Sequence, residues 1–341
     1  MQENRKVLIL CPLYDSEDYI RQEVDSVVNQ TFTNWELLFA NDNANQATID
    51  IINEFMAKDS RIRMMGNDTG RHGSHGNYRN LIINADTKND SFDYYTYMDN
   101  DDVWKPDKLE VYVRKAEEVK KEKGEDTPIC FTCNMEIIDT QGNLIDPDFA
   151  SSYAYEIKNP VDAFLTHRVF GCNLFIDRQI FFAMREVMKD PDFSSGISFD
   201  NFTYQMGFAL GADVSFIPKV LMSYRRHLTN ATKEAVYNVT PSYILKSIAG
   251  IKQVIHNNAY IARDSIDAID YILKLKQVSP EKRSQLLEIR NGLEKGGIPA
   301  MKMWHKYQIN CGNTLRTVEN WLSLCLGLER RYMDRTKYPE L

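Results

Sequence analysis

Apolar and polar positions form two kinds of segment along the first part of the chain. Nearly continuous apolar runs occupy residues 6–14, 35–42 and 92–99, and such runs are typical of strands buried on both faces. Segments with apolar residues at helical spacing, such as 16–30 and 107–124, follow two of these runs. Strands that alternate with helices predict a parallel, doubly wound α/β sheet.

The pattern changes after about residue 125. Residues 128–145 predict two strands joined by a turn at 139–142, and residues 213–227 predict two short strands. From 241 to 341 the spacing of apolar residues is almost wholly helical. We therefore predict an α/β domain over residues 1–240 and a helical C-terminal region over 241–341.

The composition limits the kinds of partner and the cellular compartment that fit this chain. The 341 residues are 43% hydrophobic, carry a net charge of −7 and contain no long run of Lys or Arg, which argues against a nucleic-acid partner. The six cysteines are scattered, as expected for a reducing cytoplasm. Pro12 and Asp15 interrupt the first apolar run, so we expect neither a signal peptide nor a membrane span there.

Three carboxylates, Asp99, Asp101 and Asp102, follow directly after the apolar run at 92–99. Like charges this close repel one another, so a folded chain retains them where water solvates them or a cation neutralises them. Ligands of open α/β sheets bind beyond the carboxyl ends of the strands, and Asp42 ends another predicted strand. The pattern predicts one site built from both strand ends.

Four interpretations of this acidic cluster compete. A solvated loop is the simplest. A calcium loop of the EF-hand type is excluded because Val103 and Trp104 stand where a ligand and the turn glycine are needed. A haloacid-dehalogenase-like phosphatase, with Asp99 as nucleophile, is a minor alternative. The fourth is a site where Mg²⁺ or Mn²⁺ binds a diphosphate.

Five segments, in this order, resemble family 2 glycosyltransferases of the GT-A fold. They are residues 7–42, "GRHGSHGNYRNLIINA" (70–85), "YMDNDDVWKPDKL" (97–109), "SFDNFTYQMGFALG" (198–211) and "YRRHLTNAT" (224–232). The last is similar to a segment of rhamnosyltransferase-like bacterial members. The resemblance implies a GT-A type α/β fold with a mixed, mostly parallel sheet and a C-terminal helical extension.

The resemblance implies that a sugar moves, with inversion, from a nucleotide diphosphate to an acceptor hydroxyl. Asp99, Asp101 and His227 then correspond to ligands of Mn²⁺ or Mg²⁺, with Asp102 able to replace either aspartate. Asp200 corresponds to the catalytic base, and a helix N-cap is its alternative role.

Further site residues follow from the same resemblance. Those assigned to the nucleotide are Pro12, Tyr14, Asp42, Arg79, Asp99 and Asn100. Gly171 is assigned to the wall beside the acceptor. Trp104 is assigned to stacking on a sugar ring, with a core tryptophan as the alternative.

The chain departs from the family pattern at three places: Asp15, residues 41–43 and Phe199. The altered motif at 41–43 favours an alternative function, a non-catalytic module that binds a sugar nucleotide or a partner on a degenerate transferase fold. The aspartates at 99, 101 and 200 favour the enzyme.

The implied partners are a dTDP- or UDP-linked donor, either dTDP-rhamnose or a UDP-hexose, and a glycan or lipid-linked glycan acceptor of a bacterial surface polysaccharide. For the helical region we retain three hypotheses: packing on the catalytic domain, a homodimer interface, and docking on an anionic membrane. The last rests on residues 315–337, which are amphipathic, and on residues 299–341, which contain seven Lys or Arg and four Asp or Glu. The expected location is the cytoplasm, with the inner face of the cell membrane as the peripheral alternative.

Overall fold

The computed structural model describes residues 5–67, 69–85, 92–153, 156–157, 159–193, 197–227 and 250–334. The chain divides into two compact units. The first contains Met1–Phe149, Phe170–Ser195 and Ala212–Asn230, and the second contains Ala150–Val169, Gly196–Gly211 and Ala231–Leu341. The predicted domain boundary at residue 240 lies outside the described residues and stays a prediction.

Nine strands of the described chain form one sheet in the first unit. They are β1 Val7–Leu13, β2 Trp35–Asn41, β3 Ile62–Gly66, β4 Tyr94–Tyr97, β5 Val103–Trp104, β6 Ile129–Ile138, β7 Leu144–Asp146, β8 Phe175–Asp177 and β9 Asp213–Arg225. Their order is β3-β2-β1-β4-β8-β6-β9-β5, with β7 beside β6. Strands β3, β2, β1 and β4 are parallel, and β8 is antiparallel to β4 and β6.

Helices follow most of these strands, as the apolar periodicity predicts. In the first unit they are α1 Ile20–Val28, α2 Gln46–Lys58, α3 Gly73–Asn84, α4 Lys108–Lys123 and α6 Arg178–Met188. Helix α5, Phe149–Tyr153, spans the point where the chain passes from the first unit to the second. The second unit contains α7 Phe199–Ala209, α8 Ile251–Ile272, α9 Pro280–Lys295, α10 Gly297–Tyr307 and α11 Thr314–Cys325.

The prediction of two short strands at 213–227 is wrong. The structure has one strand of 13 residues, β9, which pairs in parallel with β6. The pairing register jumps at one point, since Cys133 pairs with Ile217 and Asn134 pairs with Val220. Pro218 lies in this jump and has no backbone N–H to donate, so the strand bulges there and then continues.

The parallel strands bring three chain segments to one edge of the sheet. Leu13 at the end of β1 pairs with Asn41 at the end of β2, and the next residue, Asp42, donates its N–H to the Leu13 carbonyl at 2.9 Å. On the other side of β1, Met98 donates its N–H to the Leu10 carbonyl at 3.0 Å. The segments that follow β1, β2 and β4 therefore begin side by side.

The second unit is helical, as predicted for the C-terminal region. Residues 241–249 of the predicted helices lie outside the described residues. Gly296 links α9 to α10 with a φ of +58°, and a Cβ atom there would lie 2.7 Å from the Leu324 carbonyl oxygen. Glycine is required at this position because both the backbone angle and the close approach exclude a side chain. Among the described residues, no helix has the length and apolar composition needed to cross a membrane.

Glu329 makes the stability of the helical unit depend on pH. Burial raises the pKa of this carboxyl from 4.5 to about 7, so its stabilising contribution is complete below pH 4.5 and is lost as pH rises through 7. The pKa difference of about 2.5 corresponds to roughly 3 kcal/mol. We expect Glu329→Gln to raise the free energy of unfolding at pH 8, and to change it little at pH 4.5, in urea titrations.

The matched control is Glu294→Gln, which removes an exposed carboxylate that pairs with Arg290 at 2.8 Å. Exposed pairs contribute little, so the stability of this variant should follow the parent at both pH values. If the free energy of unfolding depends on pH equally in Glu329→Gln and in the parent, the prediction is wrong, because burial then does not raise the pKa of this carboxyl.

Candidate active site

Asp42 lies buried just beyond β2 and holds the start of α3. Its Oδ1 accepts a hydrogen bond from Asn67 Nδ2 at 2.9 Å, and its Oδ2 accepts one from the Gly73 N–H at 2.7 Å. His72 Nδ1 lies 2.6 Å from the same Oδ1. The carboxylate therefore already has three partners, and its predicted contact with the nucleotide base stays a prediction.

An exposed tyrosine follows the end of β1. Pro12 is buried within the strand, whereas Tyr14, two residues on, is 58% exposed. Asn100 donates from Nδ2 to the Tyr14 carbonyl at 3.1 Å and so ties this segment to the one after β4. Of the predicted nucleotide-contacting residues, Tyr14 and Asn100 thus lie together, and the ring of Tyr14 is accessible for stacking.

Arg79 binds backbone carbonyls at the end of α6. It is buried in α3 and donates to the backbone carbonyls of Met188, Asp190 and Phe193, at distances between 2.6 and 3.1 Å. These carbonyls lie at and after the end of α6, where helical carbonyls lack partners within the helix. The contacts favour a structural role for Arg79 over the predicted contact with the nucleotide.

Asp99 is the first carboxylate beyond β4 and is oriented by a tyrosine. Tyr78 Oη lies 2.7 Å from Asp99 Oδ1 and 2.9 Å from the Met98 carbonyl oxygen, so its single hydrogen is shared between two acceptors. Burial, and then the charge of Asp99, raise the pKa of the Tyr78 hydroxyl. The tyrosine consequently remains a neutral donor that fixes the Asp99 side chain.

Asp101 lies against His227, and their predicted role as metal ligands stays a prediction. His227 Nε2 is 2.6 Å from Asp101 Oδ2, although 126 positions separate the two residues in the chain. The imidazole stacks on the Tyr19 ring, with centroids 5.5 Å apart and planes at 17°. Arg225 Nε donates to the Asp101 carbonyl at 2.8 Å. An imidazole nitrogen and a carboxylate oxygen, two common ligands of divalent metals, are therefore held together.

Asp102 is fully buried and incompletely satisfied. Its Oδ1 accepts the Arg225 N–H at 3.0 Å, its Oδ2 accepts no N–H or O–H hydrogen bond among the described residues, and the Cys172 thiol is a weak donor to this carboxyl. Burial, with the charges of Asp101 and Asp99, raises the pKa of this carboxyl well above its ordinary value. Ligand atoms of Asp99, Asp102 and Cys172 all lie within 4.8 Å of one another.

These observations test whether a divalent cation fits this position. The carboxylate oxygens suit Mn²⁺ or Mg²⁺ and the imidazole is a common ligand of divalent metals, whereas the Cys172 thiol is a poor ligand for these ions because burial raises its pKa. The incompletely satisfied carboxyl of Asp102 and the mutual repulsion of the aspartates would both be relieved by a positive ion. The residues present therefore fit the cation, while the division of roles among the three aspartates stays a prediction.

Glu23 is a further acidic residue of this region, and it is absent from the residues predicted from the sequence. It lies on α1, is completely buried, and neither carboxylate oxygen has a hydrogen-bond partner among the described residues. Burial, followed by the charges of Asp101, Asp102 and Asp99, raises its pKa well above the ordinary value. The signal was available, because Glu23 falls on the same apolar helix face as buried Ile20 and Val27.

The two residues predicted to contact the acceptor are both buried. Gly171 begins a short 3₁₀ turn, Gly171–Asn173, which also contains Cys172. Trp104 on β5 is only 2% exposed, and the Lys108 Nζ lies 4.2 Å from the centre of its ring. This burial favours the core interpretation of Trp104 over stacking on a sugar.

Asp200 belongs to the second unit and lies in the first turn of α7. Ser198 occupies the N-cap position of α7 without a capping bond from its side chain, and Asp200 lies two residues further on. Asp200 Oδ1 accepts hydrogen bonds from the Asn201 N–H at 2.7 Å and from the Ser198 hydroxyl. The carboxylate is therefore oriented by its own helix start.

Asp264 on α8 adds a second acidic group to that region, and no sequence signal marked it. Its Oδ2 lies 3.2 Å from His167 Nε2. Burial raises the pKa of Asp264, His167 lowers it, and the charges of Asp267 and Asp200 raise it further. Asp200, Asp264 and His167 are thus close enough to interact electrostatically within the second unit.

Comparison with known proteins identifies the family. The sequence model of Glycosyl transferase family 2 matches residues 8–181, just over half of the 341-residue chain. The chain belongs to glycosyltransferase family 2. This assignment removes the haloacid-dehalogenase-like phosphatase from the alternatives, because Asp99 lies inside the matched region.

Curated relatives match parts of the chain. The putative glycosyltransferase EpsH of Bacillus subtilis is 26% identical over 239 residues, which cover 67% of this chain and 63% of the relative. The UDP-Glc:alpha-D-GlcNAc-diphosphoundecaprenol beta-1,3-glucosyltransferase WfgD of Escherichia coli is 35% identical over 107 residues, 31% of this chain and 39% of the relative. The chain thus spans less than two thirds of either relative.

Solved structures confirm the fold. Crystal structures of TarS from S. aureus superpose with a TM-score of 0.55 at 13% identity, covering 98% of this chain and 54% of TarS. A TarS fragment, residues 1–349, in complex with UDP-GlcNAc gives a TM-score of 0.51 at 12% identity, with 98% and 92% coverage. The predicted GT-A type α/β fold is therefore confirmed.

Proposed function

We propose that this protein transfers a sugar, with inversion, from a nucleotide diphosphate to a hydroxyl of a glycan acceptor, with the help of a divalent cation. The observation that carries the proposal is the contact between Asp101 and His227 beside Asp99 and the incompletely satisfied Asp102. Family membership supplies the reaction class. An acidic group of this kind at the carboxyl ends of parallel strands is suited to binding a cation and a diphosphate.

Different residues of the chain would bind different parts of the donor. Asp101 and His227 would hold the cation, with Asp99 as a third ligand oriented by Tyr78. When bound, the cation would neutralise charge that develops on the departing diphosphate. Tyr14 would stack on the base, and Asn100 would keep the Tyr14 backbone in place.

Asp200 is proposed as the base that takes the proton from the acceptor hydroxyl. The Asn201 N–H and the Ser198 hydroxyl both bind Oδ1, which leaves Oδ2 for the acceptor. A general base must lie within hydrogen-bond reach of the proton that it removes, and a carboxylate held by its helix start meets the requirement for a fixed direction. Attack from the face opposite the leaving diphosphate would invert the sugar.

The donor is proposed to carry uracil or thymine. WfgD uses UDP-Glc according to its name, and TarS binds UDP-GlcNAc in its complex. The resemblance of residues 224–232 favours dTDP-rhamnose, although residues 228–232 lie outside the described residues. We therefore propose a UDP-hexose or dTDP-rhamnose as donor, and a lipid-linked glycan, like that in the name of WfgD, as acceptor.

A panel of donors tests the proposal. Thermal unfolding would be measured with UDP-Glc, UDP-Gal, UDP-GlcNAc, dTDP-rhamnose and, as a purine control, GDP-mannose, each with Mn²⁺ or with EDTA. A donor at 100 times its dissociation constant stabilises the folded state by about 2.7 kcal/mol, so one pyrimidine donor should raise the midpoint by several degrees only with Mn²⁺.

The same panel separates the enzyme from the alternative non-catalytic module. Slow Mn²⁺-dependent hydrolysis of the stabilising donor supports the transferase. Stabilisation without release of nucleoside diphosphate, either with water or with a lipid-linked glycan, would favour the binding module instead. If no donor stabilises the protein in the presence of Mn²⁺, the transferase and the module that binds a sugar nucleotide both fail, and the module that binds a partner is the hypothesis left.

A further inference from the structure

Exposed apolar side chains are concentrated in one part of the second unit. Of the twelve large hydrophobic residues that are exposed among the described residues, seven lie between residues 298 and 328. We define these seven as the apolar face: Ile298, Met301, Val318, Trp321, Leu322, Leu326 and Leu328. A concentration of this kind is uncommon on a surface that only meets water.

Two helices, α10 and α11, carry five of the seven residues of the apolar face. Met301 on α10 and Trp321 on α11 line the same open cavity of about 520 Å³. On α10, Ile298 precedes Met301 by one helical turn, and on α11 Val318 precedes Trp321 and Leu322 by three and four positions. The apolar face therefore adjoins this cavity at Met301 and Trp321.

The end of the face is held rigidly. Gly296, just before α10, approaches the Leu324 carbonyl so closely that a Cβ atom would lie 2.7 Å away. Arg330 Nε donates to the Lys295 carbonyl at 2.5 Å, which ties the segment after α11 to the end of α9. Leu326 and Leu328 flank Gly327 in this segment and remain exposed. The two leucines thus lie in a turn that is bonded to the end of α9.

The segment that carries the apolar face has an excess of positive charge. Residues 295–331 contain six Lys or Arg and two Glu, a local charge of +4 in a chain whose net charge is −7. One of the two acids, Glu329, is buried, so it contributes little to the surface potential. Lys302 and Arg331 are exposed, Lys302 beside Met301 and Arg331 close in sequence to Leu328.

We propose that the apolar face docks on the surface of an anionic lipid bilayer. Trp321, Leu322 and Leu326 would enter the boundary between headgroups and acyl chains, where tryptophan and leucine are favoured, while Lys302 and Arg331 would meet the lipid phosphates. A second copy of the chain fits less well, because a symmetric interface would bring together two copies of a segment with a net positive charge. The charge pattern thus favours binding to an anionic lipid surface over binding to a second copy of the chain.

The experiment uses the full chain and two kinds of vesicle. One contains phosphatidylcholine and phosphatidylglycerol in the ratio 70:30, and the other contains phosphatidylcholine alone. Of the four tryptophans, Trp321 is 36% exposed and the others are at most 9% exposed, so a blue shift of emission reports the environment of Trp321. We expect flotation with the anionic vesicles, a blue shift, and release at high salt.

Two matched double variants localise the contact. Leu322→Ser with Leu326→Ser removes two exposed leucines of the apolar face and should weaken binding to anionic vesicles by about 10-fold or more. Leu144→Ser with Ile145→Ser removes two apolar residues of β7 that are 57% and 56% exposed, and should leave binding unchanged. Circular dichroism and thermal unfolding would confirm that both variants are folded.

Three results would overturn the proposal. The first is the absence of binding to the anionic vesicles by the unmodified chain. The second is an equal loss of binding in both double variants. The third is a shift from dimer to monomer in sedimentation of the Leu322/Leu326 variant with vesicle binding unchanged, which would assign the face to self-association.

Discussion

Asp200→Asn is expected to lower the rate of sugar transfer by about 10²- to 10⁴-fold while leaving the affinity for the donor unchanged. Asparagine has nearly the same shape and can still accept the hydrogen bond from the Asn201 N–H. It cannot take a proton, so the acceptor hydroxyl would have to attack without a base. Single-turnover transfer and calorimetric donor binding, measured on the same preparation, test the two halves of this expectation.

The matched control for this variant is Asp270→Asn. Asp270 is an exposed aspartate of α8 that pairs with Arg290 at 2.7 Å, and exposed pairs contribute little to stability. Its transfer rate should equal that of the unmodified protein. Full activity in Asp200→Asn would remove Asp200 as the base, and His167→Gln and Asp264→Asn would then test the neighbouring pair in the same unit.

Asp101→Asn is expected to abolish the effect of Mn²⁺ on donor binding, with a loss of about 10²-fold or more in donor affinity at saturating Mn²⁺. The variant loses the negative charge that faces His227 Nε2 at 2.6 Å, and a neutral amide is a weaker ligand for a divalent cation. Donor affinity would be measured by calorimetry with Mn²⁺ and with EDTA. In EDTA the variant and the parent should bind the donor equally weakly.

Two further variants make this test decisive. Asp107→Asn removes a half-buried carboxylate six positions along the chain that pairs with Lys219, and it should keep the Mn²⁺ effect. Asp102→Asn distinguishes the other donor set, in which Asp99, Asp102 and Cys172 come together. An intact Mn²⁺ effect in Asp101→Asn, with its loss in Asp102→Asn, would transfer the cation from the Asp101–His227 pair to that second set.

Most of the sheet could be predicted from the sequence because its strands are buried on both faces. All seven residues of β1 are buried, so nearly every position had to be apolar, and this leaves a run that is easy to detect. Strand β9 could not be predicted in full. Pro218 breaks the apolar pattern locally, and the strand continues past it only because the pairing with β6 accommodates the break by a shift in register.

The candidate site was only partly predictable for a related reason. Asp99, Asp101 and Asp102 are neighbours in sequence, so their mutual repulsion follows from the order of the residues alone. The partners that determine what each carboxylate can do are distant in sequence: Tyr78 for Asp99, and His227 for Asp101. The resemblance to family 2 pointed to His227, and no pattern pointed to Cys172 or Asp264.

The sequence by itself determined the α/β class, the helical C-terminal region and the acidic cluster, because periodicity and local charge are properties of adjacent residues. The tertiary structure decided which acids are buried, which are paired and which are left unsatisfied. Glu23 illustrates this division. Its position on an apolar helix face can be seen in the sequence, but only the folded structure places it close to the charges of three aspartates. Electrostatic energy depends on distance and burial, and both are set by contacts between segments far apart in the chain.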